Sequence, residues 1–197
     1  MKKIAVVALD PLAGASYTKE VRDLFGEYAE VVGYSVRDGS AAGVLPRADL
    51  FAISTDAYGS AEEEARHVPI DSQIMSIEVT FYWETLKKLF EIPQGTKVLF
   101  VNVTSNMARE AITQLSSLGV NHLQFIPYYP GAVLEEPVDI AVTPGESRFV
   151  PPSVKTVIDC DHRPCSYGMM VEIALRLGLD YLPETESFMN YAKVVAS

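Results

Sequence analysis

Short runs of consecutive apolar residues alternate along this chain with stretches in which apolar residues recur every three or four positions. The runs KIAVVAL at Lys3–Leu9 and KVLFVNV at Lys97–Val103 are rich in β-branched side chains. Such runs predict strands that are covered on both faces of a sheet, whereas the three-to-four spacing predicts amphipathic helices. The alternation of the two patterns predicts an α/β fold with parallel sheets.

The first half of the chain is expected to form one lobe. After the first strand, Asp10–Tyr17 is predicted to be a loop because it contains Pro and Gly, and Ser16 or Thr18 is expected to cap a helix. Two further strands are predicted at Val31–Val36 and Leu50–Ser54. The helix predicted between the first strand and the strand at Val31–Val36 carries an apolar stripe. Its members are Val21, Leu24, Phe25, Tyr28 and Val32.

A similar order of elements restarts at Lys97. Thr104–Asn106 supplies a cap, and Gly119 ends the helix that follows it. The remaining strands of this half are predicted at His122–Ile126, Asp139–Val142 and Val154–Ile158. We therefore predict a structural repeat, in which two similar lobes with parallel, Rossmann-like or flavodoxin-like sheets enclose a cleft.

The predicted organisation is an N-terminal lobe at 1–71, a connecting helix and turn at 72–95, a C-terminal lobe at 96–183 and a tail helix at 184–197. Apolar residues cover so much of the segment Ser72–Glu91 that it is expected to be one long buried helix. The tail carries Phe188, Tyr191, Ala192 and Val195 at spacings of three and four. Such a helix is expected to pair with a second subunit or lead into a downstream domain, and the alternative is that it docks on its own chain.

Composition excludes several classes of function. The 197 residues include 26 acidic and 16 basic side chains, which gives a formal net charge of −10. Direct binding to nucleic acid or to an anionic membrane needs clustered Lys and Arg, which this sequence lacks. No signal peptide or spanning segment is evident and there are only two cysteines, so the expected location is the cytoplasm.

The sequence contains no established catalytic or cofactor motif. It has no Walker loop, no GxGxxG and no GxSxG, so we predict neither a catalytic residue nor a cofactor. The segment DCDHRPCSY carries metal-capable atoms at Cys160, Asp161, His162 and Cys165. Adjacent residues of an extended segment point in opposite directions and no second ligand pair supports them, so no metal site is predicted. The favoured interpretation is a loop from a strand to a helix, with Cys160 buried and Cys165–Ser166 at the helix cap. A metal site and a catalytic Cys–His pair are the less favoured alternatives.

Polar residues gather where the predicted strands end, which is where open parallel sheets bind ligands. Hydroxyls, amides and helix N-termini at these positions suit a small polar or anionic molecule, and two tyrosines could stack on an organic ligand. The predicted ligand-binding residues, with Tyr58 beside them, are Asp10, Ser16, Ser54, Thr55, Asp56, Thr104, Ser105, Asn106, Tyr128, Tyr129, Thr143, Gly145, Glu146, His162 and Arg163.

The second half of the chain carries a more specific pattern. NHLQFIPYYPG at 121–131 and DIAVTPGE at 139–146 are followed by VPPSVKTVID at 150–159 and VEIALRLGL at 171–179. This order resembles the N-terminal sensory region of sigma-54-dependent transcriptional activators of Clostridia-type bacteria. More distantly it is similar to the receptor domain of propionate-catabolism activators. The resemblance implies a regulatory input domain that precedes a PAS domain, an AAA+ ATPase domain and a helix-turn-helix, with Arg163 as the residue matching an arginine of that family.

The expected function is therefore that of a non-enzymatic, ligand-sensing domain of a cytoplasmic transcriptional activator. It would bind a small-molecule effector between the lobes, pass lobe closure to the PAS and AAA+ domains, and act as a homo-oligomer. One alternative is a small two-lobed enzyme of the racemase kind, which would place one cysteine in each lobe, whereas the sequence places both in the second. The others are a solute-binding protein, which would need an export signal, and a dimerisation module without a ligand.

Overall fold

The two continuous apolar runs each form the centre of a separate parallel sheet in the computed structural model, which describes residues 1–196. Within β1, the residues from Ile4 to Val7 have no exposed surface, and the same is true of Val98–Val101 in β5. Strands that are apolar on both faces must be covered on both sides by helices or loops. The chain accordingly forms an α/β fold of the Rossmann-like and flavodoxin-like kind, as the sequence predicts.

The first sheet has the strand order β2-β1-β3-β4, and all of its pairs are parallel. Its elements, in chain order, are β1 (Lys2–Ala8), α1 (Pro11–Phe25), β2 (Ala29–Ser35), β3 (Leu50–Ile53), α2 (Ala61–His67) and β4 (Ile74–Ser76).

The second sheet has the equivalent order β6-β5-β7-β8, again all parallel. The elements that follow β4 are α3 (Trp83–Phe90), β5 (Lys97–Val101), α4 (Ser105–Ser117), β6 (Gln124–Tyr128), β7 (Ile140–Thr143), a 3₁₀ turn (Ser147–Phe149) and β8 (Thr156–Asp159). The chain ends with α5 (Tyr167–Arg176), a 3₁₀ turn (Leu182–Glu184) and α6 (Glu186–Val194). The matching strand orders confirm the predicted structural repeat.

The contacts of the chain divide it into two units whose boundaries differ from the predicted ones. The first unit comprises 1–79 and 164–195, and the second comprises 80–163 with Ala196. Helix α5 comes after the second sheet in the chain, yet its Met170 and Ile173 pack in one cluster with Ile4 of the first sheet. The predicted lobe at 96–183 therefore divides at residue 163, because the apolar face of α5 is buried against β1.

The long helix predicted at Ser72–Glu91 is wrong. Residues 74–76 form β4, which pairs in parallel with β3, and helix begins only at Trp83. The spacing of Met75, Val79 and Tyr82 fits a helix, but burial alternates with a period of two: Met75 and Ile77 are buried while Ser76 and Glu78 are exposed. The apolar residues fit both the helical period and the strand period of two, and pairing with β3 stabilises the extended form.

Helix α1 begins at the end of β1, so the loop predicted at Asp10–Tyr17 is also wrong. The Asp10 carboxylate caps the helix by accepting hydrogen bonds from the amides of Leu12 at 3.0 Å and Ala13 at 3.1 Å. Pro11 then occupies the first helical position, where its missing N–H costs nothing. Ser16 consequently lies inside α1 rather than in a loop.

The tail helix α6 docks on the first unit of its own chain. Phe188 is completely buried and meets the ring of Phe25 edge-on, with 5.5 Å between the centroids. The Tyr191 hydroxyl donates to the carbonyl oxygen of Cys165 at 2.6 Å. Val195 is buried as well, and Ala192 is half-buried. The apolar seam predicted in the tail is thus covered within this chain, which is the docked alternative.

Membrane insertion finds no support in the helices of the described chain. Within residues 1–196, none of them combines the length with the apolarity that crossing a bilayer requires.

Replacing Phe188 by Ala should test how much of the fold depends on the docked tail. Because the ring is fully buried in the core of the first unit, Phe188→Ala is expected to lower the free energy of unfolding by about 3–5 kcal/mol. Urea unfolding followed by circular dichroism measures the change. The neighbouring Met189, which is 48% exposed, provides the control, and Met189→Ala should change stability by about 0.5 kcal/mol or less. Equal effects of the two substitutions would show that α6 does not contribute to the core.

Candidate functional site

The carboxyl ends of the parallel strands are the place where an open α/β sheet binds ligands. Each unit has one such edge, and the predicted residues are distributed over both. Asp10, Ser54, Thr55 and Asp56 belong to the first, while the candidates from Thr104 to Arg163 belong to the second.

At the end of β1, Asp10 caps helix α1. Its carboxylate is occupied by the N-terminal amides of α1 and lies 3.8 Å from the guanidinium of Arg37. At the end of β3, the Ser54 hydroxyl donates to the Asp56 carboxylate, and the amide of Ala57 donates to the Ser54 carbonyl at 3.0 Å. These bonds close a tight turn and leave Thr55 exposed at its tip.

A cavity of about 200 Å³ opens beyond the ends of β3 and β4. The polar residues that line it are Glu64, Thr55, Tyr58, Ser60 and Ser76. Its apolar wall consists of Ile53, Ala61, Ile74 and Met75, with Gly59 completing the lining. This cavity brings together two of the residues that the sequence placed at the strand ends.

Tyr58 is the most unusual group of this cavity. Its ring stacks in parallel on the imidazole of His67, with 4.5 Å between the centroids. Its hydroxyl is buried, and among the described residues it finds no hydrogen-bond partner. Burial, and secondarily the negative charge of Glu64, raises the pKa of the Tyr58 hydroxyl. The hydroxyl therefore keeps its proton and is a donor without an acceptor, which is a costly state inside a protein.

Sequence reasoning missed the other half of this cavity. Helix α2 places Ser60 and Glu64 on its wall, and Ser60 caps the helix by accepting from the Glu63 amide at 3.1 Å. None of the residues Ala61–His67 is buried, so the helix has no apolar stripe that periodicity could detect. The signal that could have found it is the sequence Ser-Ala-Glu-Glu, a capping residue followed three positions later by Glu.

In the second unit, the residues around the start of α4 bind the helix itself. Thr104 accepts from the Met107 amide at 3.2 Å, which confirms the predicted cap, and Ser105 accepts from the Arg109 side chain at 3.1 Å. Asn106 is exposed. At the end of β6, Tyr128 packs against the buried cluster of the sheet, and Tyr129 is half-buried at the start of a turn.

The segment after β7 is a closed hydrogen-bonded turn. The Thr143 hydroxyl is fully buried, donates to the Val101 carbonyl at 2.9 Å and accepts from the Glu146 amide at 3.0 Å. Gly145, at φ 82°, donates its amide to the Asp159 carboxylate at 3.0 Å. Glu146 forms an ion pair with Arg148 at 2.7 Å. The polar groups of this turn are used to hold its shape.

Arg163 is anchored within the second unit. Its side chain is only 9% exposed, and the guanidinium lies 4.6 Å above the centre of the Phe81 ring. It donates to the carbonyl of Thr80 at 3.4 Å and lies 3.7 Å from the Glu110 carboxylate. His162 is exposed and meets the Tyr82 ring edge-on at 6.2 Å. Arg163 therefore fixes the start of the second unit, and His162 is the more accessible of the two.

The two cysteines are protonated thiols at neutral pH. Burial, reinforced by Asp159, raises the pKa of Cys160 to about 12, and burial together with the neighbouring Glu20 raises the pKa of Cys165 far above its usual range. Metal binding and nucleophilic attack both require the thiolate. Within residues 1–196, no group of three or more His, Cys, Asp or Glu side chains is arranged to hold a metal ion.

Glu20 is a buried titratable group that the sequence did not reveal. It lies on α1 and hydrogen-bonds to Cys165, which precedes α5. Burial raises the pKa of the Glu20 carboxyl to about 7, and Asp23 adds to the effect while Cys165 and Lys19 oppose it. A large fraction of Glu20 is consequently uncharged at neutral pH.

Glu20 should make the protein less stable as the pH rises. Its pKa is near 4.5 in the unfolded chain and near 7 in the folded one, so the folded state binds more protons between these values. The free energy of unfolding is expected to fall between about pH 5 and pH 8. In Glu20→Gln this slope should flatten, with a gain on the order of 1–3 kcal/mol at pH 8. Urea unfolding at several pH values measures the slope, and Glu27→Gln, in the exposed turn that follows α1, is the control. An unchanged slope in Glu20→Gln would contradict the assignment.

Thiol reactivity should follow the two raised pKa values. In the native protein at pH 8, iodoacetamide is expected to alkylate Cys165 at least a hundredfold more slowly than an unstructured cysteine, because the thiol is buried and protonated. Cys160, which is only half-buried, should react faster than Cys165 but still slowly. Peptide mass spectrometry over time measures both rates, with the urea-unfolded chain as the reference. Native rates equal to that reference would show that the thiols are not protected.

Comparison with known proteins adds no relative to this picture: no protein-family model, no curated protein and no solved structure matches the chain.

Proposed function

We propose that this chain is a ligand-sensing input domain of a cytoplasmic transcriptional activator, of the sigma-54-dependent kind that its second half resembles. The observation that carries the proposal is the cavity beyond β3 and β4, whose lining combines Glu64 and four hydroxyl-bearing residues with apolar side chains. A cavity of this kind at the ligand-binding edge of a parallel sheet is suited to a small molecule.

The size of the cavity limits the effector. A water molecule in the liquid occupies about 30 Å³, so a cavity of about 200 Å³ has room for a compact metabolite of several heavy atoms. This is below the usual range for drug-sized ligands, about 300–1,000 Å³.

Binding is favoured over catalysis by the state of the reactive groups. A racemase of the two-cysteine kind needs one thiol in each lobe. The contacts place Cys165 in the first unit and Cys160 in the second, so the argument that both lie in the second lobe is wrong. However, a thiol base must lose its proton, and the raised pKa values of both cysteines oppose that. His67 and His122 are each hydrogen-bonded to a backbone carbonyl, of Gly43 and of Ile92 respectively.

The core of the first unit provides a physical route from the cavity to the tail. Met75 lines the cavity and also packs in the cluster that contains Ile173 of α5 and Phe188 of α6. A ligand that displaces Met75 would change the packing beneath the tail helix. It can shift that equilibrium only by binding one arrangement more tightly than the other. We propose that α6 passes this change to PAS and AAA+ domains in an oligomeric activator, where the DNA contacts would lie.

The test is a search for the effector with the purified 197-residue chain. Thermal unfolding is measured in fractions of a bacterial metabolite extract, and active fractions are resolved by native mass spectrometry. A true effector at 100 times its Kd is expected to stabilise the chain by about 2.7 kcal/mol, a shift of several degrees in Tm. It should also change the rate at which protease cleaves next to α6. Absence of any stabilising small molecule, or turnover of amino acid enantiomers by the chain, would overturn the proposal.

A further inference from the structure

The outer strands of a sheet carry backbone groups that no neighbouring strand pairs, and a bare edge of this kind pairs readily with a further strand. On one side of each sheet of this chain the edge is obstructed. In β2, the Val31 carbonyl accepts a hydrogen bond from Arg22 at 2.8 Å, and the Ser35 amide donates to the Ser40 hydroxyl at 2.7 Å. In β6, Pro127 has no N–H to offer to another strand. A further strand would therefore find these two edges partly blocked.

Strand β8 lies at the opposite edge of the second sheet, and its outer side is bare. The amides of Thr156 and Cys160 donate to carbonyl oxygens on the β7 side, at 2.9 and 3.0 Å. Backbone groups of successive strand residues point in opposite directions, so those of Val157 and Asp159 point away from β7. Among residues 1–196, no other strand, loop or side chain hydrogen-bonds to the backbone of Val157. Its side chain is 44% exposed, so the centre of this edge is open.

The charges on this edge are complementary to those of a second copy of the same edge. Lys155 comes two residues before Val157 and Asp159 two residues after it, so the three side chains lie on one face of the strand. When two copies of β8 run antiparallel with Val157 opposite Val157, Lys155 of each copy faces Asp159 of the other. Opposite charges directly across an antiparallel pair stabilise it, and this register supplies two such pairs.

Both charged groups can make these contacts without giving up the ones they have. The Lys155 side chain is 77% exposed, and its ammonium lies 3.6 Å from the exposed carboxylate of Asp139. In the paired edge it would lie between Asp139 of its own chain and Asp159 of the other copy. Asp159 accepts from the amides of Gly145 and Asp161, both through Oδ1, which leaves Oδ2 for the ammonium. Carboxylates outnumber ammonium groups here, so the pairing depends on the charge of Lys155.

From this arrangement we propose that the chain forms a homodimer through β8, with the two strands antiparallel about a twofold axis at Val157. The two Val157 residues exchange both of their N–H···O bonds, and the pairs between Lys155 and Asp159 fix the register. The second sheets of the two copies thereby become one continuous sheet, and the twofold axis closes the assembly at two subunits. The proposal names the surface that forms the oligomer of the proposed function, and it rests on that function only for the role of the dimer.

Sedimentation equilibrium of the purified 197-residue chain, over a hundredfold range of protein concentration, measures the dimerisation constant. A reversible monomer–dimer equilibrium is expected. Val157→Pro removes the outward N–H and keeps the hydrogen bonds to β7, which come from Thr156 and Cys160. It should weaken the dimer at least tenfold. Circular dichroism and thermal unfolding verify that this variant and those below are folded.

Charge variants test the register. Lys155→Glu places like charges opposite each other and should weaken the dimer at least tenfold. Asp159→Asn keeps the oxygen that the amides of Gly145 and Asp161 need. It should weaken the wild-type dimer, because an attraction is lost, and strengthen the dimer of Lys155→Glu, because a repulsion is lost.

Lys97→Glu is the matched control for Lys155→Glu. Lys97 is likewise exposed, begins a strand of the second sheet and pairs with an exposed carboxylate, that of Glu136 at 3.2 Å. Its strand, β5, is central in the sheet, so the substitution changes the net charge equally without touching the edge. It should leave the dimerisation constant unchanged.

Disulfide cross-linking locates the axis independently. Residues opposite each other in a hydrogen-bonded antiparallel pair have Cα atoms about 5.5 Å apart, which is within the range of a disulfide. Val157→Cys is therefore expected to form a covalent dimer on mild oxidation, detected by electrophoresis without reductant. Val133→Cys, at an 89% exposed position in the loop after β6, is the control and should cross-link far more slowly.

The proposal is overturned if the chain is monomeric at every concentration, even where the edge binds a strand of a different protein. A dimer that Val157→Pro and Lys155→Glu leave intact, or equal cross-linking of the two cysteine variants, also rejects this interface. The outcome is separable from that of the proposed function. A monomer that an extracted metabolite stabilises would uphold sensing and reject the dimer. A dimer with the expected response to these substitutions that no metabolite stabilises would uphold the interface and reject sensing.

Discussion

Burial of the two central strands on both faces is the constraint on which the rest of the structure depends. In β1 the side chains alternate between two clusters, with Ile4 and Val6 in one and Ala5 and Val7 in the other. In β5, Val98 and Phe100 alternate in the same way with Leu99 and Val101. Each sheet therefore needs helices or loops packed against both of its faces. The chain must cover four sheet faces in all.

The exchange of helices between the two halves of the sequence meets this demand. The segment that builds the first sheet contributes α1 to one face, but its second helix, α2, has no buried residue. The face that contains Ile4 is completed by α5 and α6, which the chain reaches only after β8. In the second unit, α3 contributes Leu86 and Leu89 to the cluster around Phe100. Thus α3, which follows the last strand of the first sheet, covers the second sheet, and α5, which follows the last strand of the second sheet, covers the first. The first unit is therefore built from two separate stretches of sequence.

The need of helix N-termini for hydrogen-bond acceptors explains why few of the polar residues at the strand ends are free for a ligand. A helix that starts soon after a strand needs acceptors for its first amides, and Asp10 and Thr104 provide them after β1 and β5. The turn after β7 uses Thr143 in a similar manner. The end of β3 differs, because its turn satisfies itself through Ser54 and the next helix begins only at Ala61. A gap remains between the strand ends and α2, and that gap is the cavity.

Features that a few neighbouring residues determine could be predicted from the sequence. The buried strands, the repeat, the Thr104 cap and the helix ends before Gly119 and Gly178 all follow from local pattern, and both glycines have positive φ. The loop predicted at Asp10–Tyr17 is wrong because Pro and Gly favour loops, whereas Asp10–Pro11 here forms the start of a helix. The exchange of α5 was out of reach, since its apolar stripe fits the face of either sheet and nothing local distinguishes them. Of the candidate site, sequence supplied Thr55 and Tyr58 but not Glu64, whose helix lacks an apolar stripe.

Glu20 is a half-buried polar side chain at the place where distant segments of the first unit meet. Glu20 on α1 reaches Cys165 at the entrance to α5, and Tyr191 on α6 donates to the carbonyl of the same residue. Hydrogen bonds fix direction and distance, whereas apolar contacts alone would tolerate sliding of one helix along another. A charged carboxylate would oppose this junction, because its hydration would be lost on burial. Holding the proton up to about pH 7 lets Glu20 contribute a directional contact with much less of that cost at neutral pH. Helices α1 and α6 thus both hydrogen-bond to Cys165, the residue just before the N-cap of α5.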